Sequence, residues 1–131
     1  LLNGAVEAIC SGTAITTRAQ KANLEVKHAG EVNDLAVAGN PVAQEIMEDT
    51  KDYLANMIAC LIAVTDPEIV ILGGSVATKI KGFTKDVEDR VKKKVHGPVV
   101  PYVDVRTTTL SEDSGLIGAA YLAFSKAEEN A

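Results

Sequence analysis

The sequence predicts an α/β fold, rich in helix and built around two parallel strands, and three stretches carry that prediction. Glu68-Ile69-Val70-Ile71-Leu72 sets four aliphatic residues in a run of five, the pattern of a strand covered on both faces. Asp66-Pro67 ahead of it stops any helix, because proline lacks an N–H and disfavours helix in the residue before it. Gly73-Gly74 behind it lets the backbone turn sharply with no Cβ in the way. Further on, Val103, Val105 and Thr107 alternate with Asp104, Arg106 and Thr108, which marks a second strand over 103–109 with one more polar face. Between the strands lies a helical pattern over 77–95. A strand–helix–strand crossover is right-handed and makes its strands parallel.

In such a sheet the turn after a strand lies where ligands bind, so Gly73-Gly74 is a candidate site. The same two glycines equally suit a tight turn that binds nothing.

The remaining elements follow in order. Residues 4–20 read as one helix, with Asn3 as a cap and Val6, Ile9, Cys10, Ala14 and Ile15 near an apolar face. Ser11-Gly12-Thr13 interrupts its middle with poor helix formers, small enough for a neighbouring helix or a ligand to come close. Residues 21–29 form a polar connector in which His28 reads as solvated. A short helix over 31–38 closes on Gly39, and Asn40-Pro41 opens the next as cap and first-turn proline.

That next helix, 41–65, has the strongest pattern in the chain. Ala43, Ile46, Met47, Leu54, Met57, Ile58, Leu61 and Ile62 recur at three- and four-residue intervals, and the stretch 57–64 is apolar nearly all round, which predicts deep burial. The 77–95 helix has a narrow stripe (Ile80, Phe83 or Thr84, Val87, Val91, Val95) and charged flanks, so it lies outside. Lys92-Lys93-Lys94 suits the negative end of its dipole, with phosphate binding as the lesser alternative. A capped, acidic start at Ser111-Glu112-Asp113 leads into a last helix through Leu122, Ala123 and Phe124, with a frayed tail over 126–131.

Composition bounds the function. The 131 residues are 47% hydrophobic with a net charge of −5, which suits one globular domain and argues against nucleic-acid or anionic-membrane partners. No stretch reaches transmembrane length and no signal peptide is visible, so the expected location is cytoplasmic. Cys10 and Cys60 sit in apolar helical pattern and read as reduced core residues, and with the two histidines they make no metal-site spacing. The chain opens within a pattern and without an initiator Met. About five helices against two strands make a poor core by themselves, which suggests a piece of a longer protein.

Three segments together resemble the ROK family (repressor, open reading frame, kinase). Gly4-Ala5-Val6-Glu7-Ala8-Ile9-Cys10-Ser11-Gly12-Thr13-Ala14 resembles the family's Gly-Cys-x-Glu-Ala-x-x-Ser-Gly-x-Ala passage. Asp66-Pro67 through Gly73-Gly74 resembles its helix–strand–glycine passage, and Asp113-Ser114-Gly115-Leu116-Ile117-Gly118-Ala119-Ala120 its C-terminal helix. The resemblance implies an actin-like (ribonuclease H-like) ATPase and sugar-kinase fold, with 1–131 as the C-terminal part of the second domain and the upstream strands and N-terminal domain absent. It implies ATP and Mg²⁺ as cofactors of the parent and a hexose as substrate, in a glucokinase- or fructokinase-type phosphotransferase. Glu7 would bind the sugar, and Gly73, Gly74 and more loosely Ser75 would border the nucleotide's adenosine. Glu7 taken without the resemblance is simply a first-turn acid that suits a helix dipole.

The departures from the family pattern matter as much. Ala5 stands at the family's cysteine position and no Cys-x-Cys-Gly precedes it, so the family's zinc site is not expected here. The family's phosphate loop and catalytic aspartate fall upstream, and Asp66 and Asp113 sit in the wrong motifs to replace that base. No catalytic residue is therefore assigned, and the chain alone is expected to be inactive. The alternative is the sugar-sensing effector domain of a ROK-type transcriptional repressor, and a third reading is an actin-like domain without sugar chemistry. The expected partners are sugar, ATP, and either further copies of the chain or the missing part of the parent.

Overall fold

The computed structural model describes residues 5–110 and 113–129. The elements run α1 (Glu7–Cys10), α2 (Gly12–Lys21), α3 (Ala29–Val37), α4 (Pro41–Thr65), β1 (Val70–Leu72), α5 (Ser75–Lys79), α6 (Phe83–Lys92), a 3-10 helix (Gly97–Tyr102), β2 (Val105–Thr107) and α7 (Ser114–Glu129).

The long helix α4 is the axis, about 37 Å at 1.5 Å per residue, and its ends are set locally. Gly39 takes a left-handed φ of +94°, Asn40 accepts the Ala43 N–H at 3.0 Å, and Pro41 occupies the first turn. At the other end Asp66 is left-handed (φ 44°) and Pro67 forbids continuation. Helices α1, α2, α3 and α6 all pack on α4. Ile15, Val32, Ile58, Val87 and Val91 are fully buried, and Met47 nearly so. The burial of Val87 and Val91 bears out the narrow apolar stripe read for α6.

The strands are parallel, in the register Val70↔Val105, Ile71↔Arg106 and Leu72↔Thr107, with α5 and α6 in the crossover. Both are shorter than expected: 70–72 against 68–72, and 105–107 against 103–109. Pro98 and Pro101 hold 97–102 in a 3-10 helix, so the second strand starts later. Ile71 is 61% exposed, so β1 is not covered on both faces by the described residues.

Several helices differ from expectation for identifiable reasons. The 4–20 helix is two helices, because Ser11 goes extended (ψ 156°) and its hydroxyl caps α2 by accepting the Ala14 N–H. The helix expected over 31–38 starts earlier, at Ala29. His28 is exposed, as a solvated residue should be, but its Nδ1 caps α3 by accepting the Glu31 N–H at 3.3 Å. The 77–95 helix breaks at Gly82, whose φ of +81° is cheap only without a Cβ. Of the 57–64 stretch Ile58 and Ile62 are buried, but Leu61 and Val64 are exposed and so is Cys60, which is no core residue. Cys10 is half-buried, and burial pushes its thiol pKa up against the opposing pull of Arg18. The last helix continues to Glu129 where a frayed tail was expected, while 111–112 and 130–131 lie outside the described residues.

Candidate functional site

The three sequence motifs meet at the glycine turn. Gly74 has a φ of +85° and open space where a Cβ would stand. It caps α5, as a glycine must in that left-handed region. A Cβ on Gly73 would lie 3.9 Å from the Ser114 hydroxyl and from the Thr108 methyl, so the turn abuts the end of β2 and the start of α7. On its other side, a Cβ on Gly12 would lie 3.6 Å from Ser75 Oγ and 3.6 Å from Val76 Cγ2. The small residues at Ser11-Gly12 thus admit a neighbouring helix, α5, one of the two occupants their size allowed. The turn stands at the carboxyl ends of both parallel strands, where α/β sheets bind ligands.

Beside it a groove of about 950 Å³ runs between α2, α3 and α5. That volume lies within the range of small-molecule sites. Thr13, Thr16, Thr17 and Gln20 recur at helical spacing along the α2 wall, Asn33 faces them from α3, and Ser75 and Val76 close the end beside the turn. Thr16 is spent on the Gly12 carbonyl (2.7 Å) and Gln20 on the Val26 carbonyl (2.8 Å). Thr13, Thr17, Asn33 and Ser75 make no side-chain hydrogen bond among the described residues and remain available to a ligand. Sequence reading found Ser75 but missed this groove. The polar stripe at 13, 16, 17 and 20 was its visible signal.

Glu7 stands apart from the groove. It is exposed at the start of α1, where its carbonyl accepts the Ser11 N–H, and its carboxylate makes no hydrogen bond or ion pair among the described residues. A single-turn helix has little dipole for an acid to satisfy, which weakens the bland reading of Glu7. Glu7 and Gly12 are five positions apart, so their Cα atoms lie within about 18 Å of one another. A Cβ on Gly12 would meet Ser75 and Val76, so the start of α2, just past the Ser11 bend that joins it to α1, lies against α5. A free carboxylate accepts hydroxyl hydrogens, and a turn without Cβ atoms beside a polar groove admits a flat, polar ligand.

Asp66 is exposed at the C-terminus of α4 and Asp113 is exposed just ahead of α7. Among the described residues no three His, Cys, Asp or Glu side chains come together as a metal site, and no helix is long and apolar enough to cross a membrane.

A parallel strand pair packed with helices, with the glycine turn at the strand ends, is what the resemblance to the ROK family implies for a portion of an actin-like ATPase domain, and comparison with known proteins bears out that class. The ROK family model matches residues 2–126, and the chain belongs to the ROK family. It is 36% identical to the N-acetylmannosamine kinase of Escherichia coli O1:K1 over 120 residues, which is 92% of this chain and 40% of that protein. The ROK hexokinase of Thermus thermophilus superposes with a TM-score of 0.82 at 28% identity, over 97% of this chain and 43% of the other. A ROK glucokinase of Streptomyces griseus, in complex with glucose and AMPPNP, gives a TM-score of 0.74 at 23% identity, over 91% of this chain and 44% of the other. A ROK transcriptional regulator, a homologue of the E. coli MLC protein, gives 0.60 at 21% identity, over 79% of this chain and 29% of the other. The last two show the fold alone. The chain spans about two-fifths of the length of the curated relative.

Proposed function

We propose that residues 1–131 form the C-terminal part of the second domain of an ATP-dependent sugar kinase, contributing one edge of the sugar site and the adenosine end of the nucleotide site. The observation that carries this is the meeting at Gly73-Gly74 of the Ser11-Gly12 bend, the end of β2 and the start of α7, next to a polar groove of nucleotide size. Gly73, Gly74 and Ser75 border the adenosine, and the groove beyond Ser75 gives the base room. Glu7 accepts hydroxyl hydrogens of the sugar and so orients the ring. ATP supplies the γ-phosphoryl group, and Mg²⁺ neutralises charge on its phosphates. We assign the metal's protein contacts and the catalytic base to the upstream part of a ROK polypeptide, where the family pattern carries its phosphate loop and aspartate.

The substrate is a hexose or a hexose derivative. The kinship to an N-acetylmannosamine kinase supports an N-acetylated sugar beside the glucose and fructose classes. A repressor of the same family would share this domain, and an upstream helix-turn-helix in place of a phosphate loop would mark it.

The test is a pair of variants in the family-length polypeptide, with sugar and nucleotide affinities measured by calorimetry. Glu7→Gln exchanges a charged hydroxyl acceptor for a neutral one and weakens sugar binding by about 1–3 kcal/mol, with ATP affinity nearly intact. Gly74→Val does the reverse, because a branched residue is strained at φ +85° and its side chain enters the adenosine space. Sugar affinity indifferent to Glu7→Gln returns Glu7 to a surface role. A folded Gly74→Val protein with unchanged ATP affinity makes the turn purely structural.

A further inference from the structure

Glu7 stands on a one-turn helix, and a single turn does not hold its own direction. What fixes α1 is a brace from the far end of α2. Arg18 lies two turns beyond the Ser11 bend, and its guanidinium reaches back to three groups. Nη1 donates to the Thr50 hydroxyl at 3.1 Å and to the carbonyl of Ile9 in α1 at 3.5 Å, and Nη2 donates to the Asp49 carboxylate at 2.9 Å. The anchor is buried. Thr50 is fully enclosed, and its hydroxyl donates to the Ile46 carbonyl at 2.7 Å, so its lone pairs are left to accept from Arg18. A second tie joins the same points, because the Cys10 thiol reaches the Thr50 carbonyl at 3.5 Å. Arg18 thus spans the break between α1 and α2 and ties both to α4.

We propose that Arg18 is a positioning residue for sugar binding: by holding the Ile9 carbonyl against Thr50 and Asp49 it sets the direction of α1 and hence the place of the Glu7 carboxylate. The proposal rests on the reading of Glu7 as the sugar acceptor. The guanidinium serves the three acceptors from two separate nitrogens held in one plane, whereas a lysine ammonium offers its three donors from a single compact nitrogen without that span. A misplacement of about 1 Å in such a group is enough to impair a site strongly.

The experiment uses the family-length polypeptide in a coupled kinase assay, with N-acetylmannosamine and glucose as alternative sugars, and compares Arg18→Met, Arg18→Lys, Glu7→Gln and the Glu7→Gln/Arg18→Met double variant. Arg18→Met is expected to raise the sugar KM by roughly tenfold while the ATP KM stays within about twofold, and Arg18→Lys to fall in between. In the double variant the sugar KM should be no worse than with Glu7→Gln alone, because Arg18 acts through Glu7. Should Arg18→Met fail to fold, Arg18→Lys carries the same split at smaller amplitude.

A sugar KM unchanged in both Arg18 variants overturns the proposal. So does an equal rise in both KM values, or full additivity in the double variant, since either makes Arg18 a general brace. If Glu7→Gln itself leaves the sugar KM untouched, the reading of Glu7 fails, and the positioning role falls with it. A response to Glu7→Gln with none to Arg18→Met sinks the positioning role alone.

Discussion

Ile58 and Val64 lie on the same helix, six residues apart, and one is 0% exposed while the other is 84% exposed. They mark two regions of the molecule. Around Ile58, helices α2, α3, α4 and α6 close a core that includes Ile15, Val32, Met47, Val87 and Val91. Around Val64 the composition is equally apolar, yet the side chains are bare. Ile71 of β1 is exposed, and so are Leu116, Ile117, Tyr121, Leu122 and Phe124 along α7. The second region has the residues of a core without the elements that complete one. Exposed apolar surface on that scale marks a docking face in a soluble protein. The chain spans about two-fifths of the length of the curated relative, and under the proposed function one occupant to test is the upstream part of a ROK polypeptide.

The sharpest way to break this comparison is to cut one side chain from each region of the isolated chain. Ile58→Ala removes fully buried atoms and is expected to cost about 2–5 kcal/mol, read as a fall in the urea midpoint. Phe124→Ser, at a side chain now 72% exposed, should move stability by no more than about 0.5 kcal/mol. In the family-length polypeptide Phe124→Ser should cost about 2 kcal/mol or more if the upstream part covers α7. Equal costs in the short and long proteins would mean that the bare face is bare in both.

Association is the next effect in size. The isolated chain, with β1 open along one edge and α7 uncovered, should self-associate, because such edges and patches recruit partners. Light scattering over a dilution series should show this, and the pair Leu116→Glu and Leu122→Glu should return the chain to a monomer. A monomer without those substitutions would say that the apolar side chains of the second region do not act as one face.

How much of this was legible in the sequence depended on the range of the interaction. The ends of α4 were readable because a cap, a first-turn proline and a left-handed glycine act within four residues. The parallel pairing was readable from the order strand, helix, strand. The breaks at Ser11 and Gly82 were not, since in each case apolar spacing continues across the break while the backbone turns aside. At the site, a sharp turn free of Cβ atoms was foreseen from the glycine pair itself, and Gly74 makes it with a positive φ. The groove between α2, α3 and α5 and the reach of Arg18 to Thr50 and Asp49 were not, because they join residues as much as 69 and 32 positions apart. Hydrophobic pattern reports that a side chain wants cover. It does not report whether the cover lies within the same stretch of chain.

The smallest expected effect lies on the outer side of the closed region, where α4 and α6 are laced by charge. Arg90 pairs with Glu48 and with Asp52 (2.7 Å), and Lys51 joins Glu48 (3.2 Å) to Asp86 (2.8 Å). The hydrogen bond from Arg90 holds the Asp52 carboxyl below its usual value. At Glu48 burial pushes the pKa up, but the bonds from Arg90 and Lys51 prevail and lower it. A carboxylate whose folded pKa is depressed adds stability that is fully present above its unfolded pKa, about 4, and is lost as the pH falls through the folded value. Urea midpoints measured from pH 6 down to about 2.5 should therefore decline below about 4, and Asp52→Asn should flatten part of that decline. These groups are largely exposed, so solvent screening limits each pair to about 0.2–1 kcal/mol, and added salt should shrink the difference further. If Asp52→Asn and the unsubstituted chain follow the same pH curve, the lacing is decoration and the contact between α4 and α6 rests on Val87, Val91 and Ile58 alone.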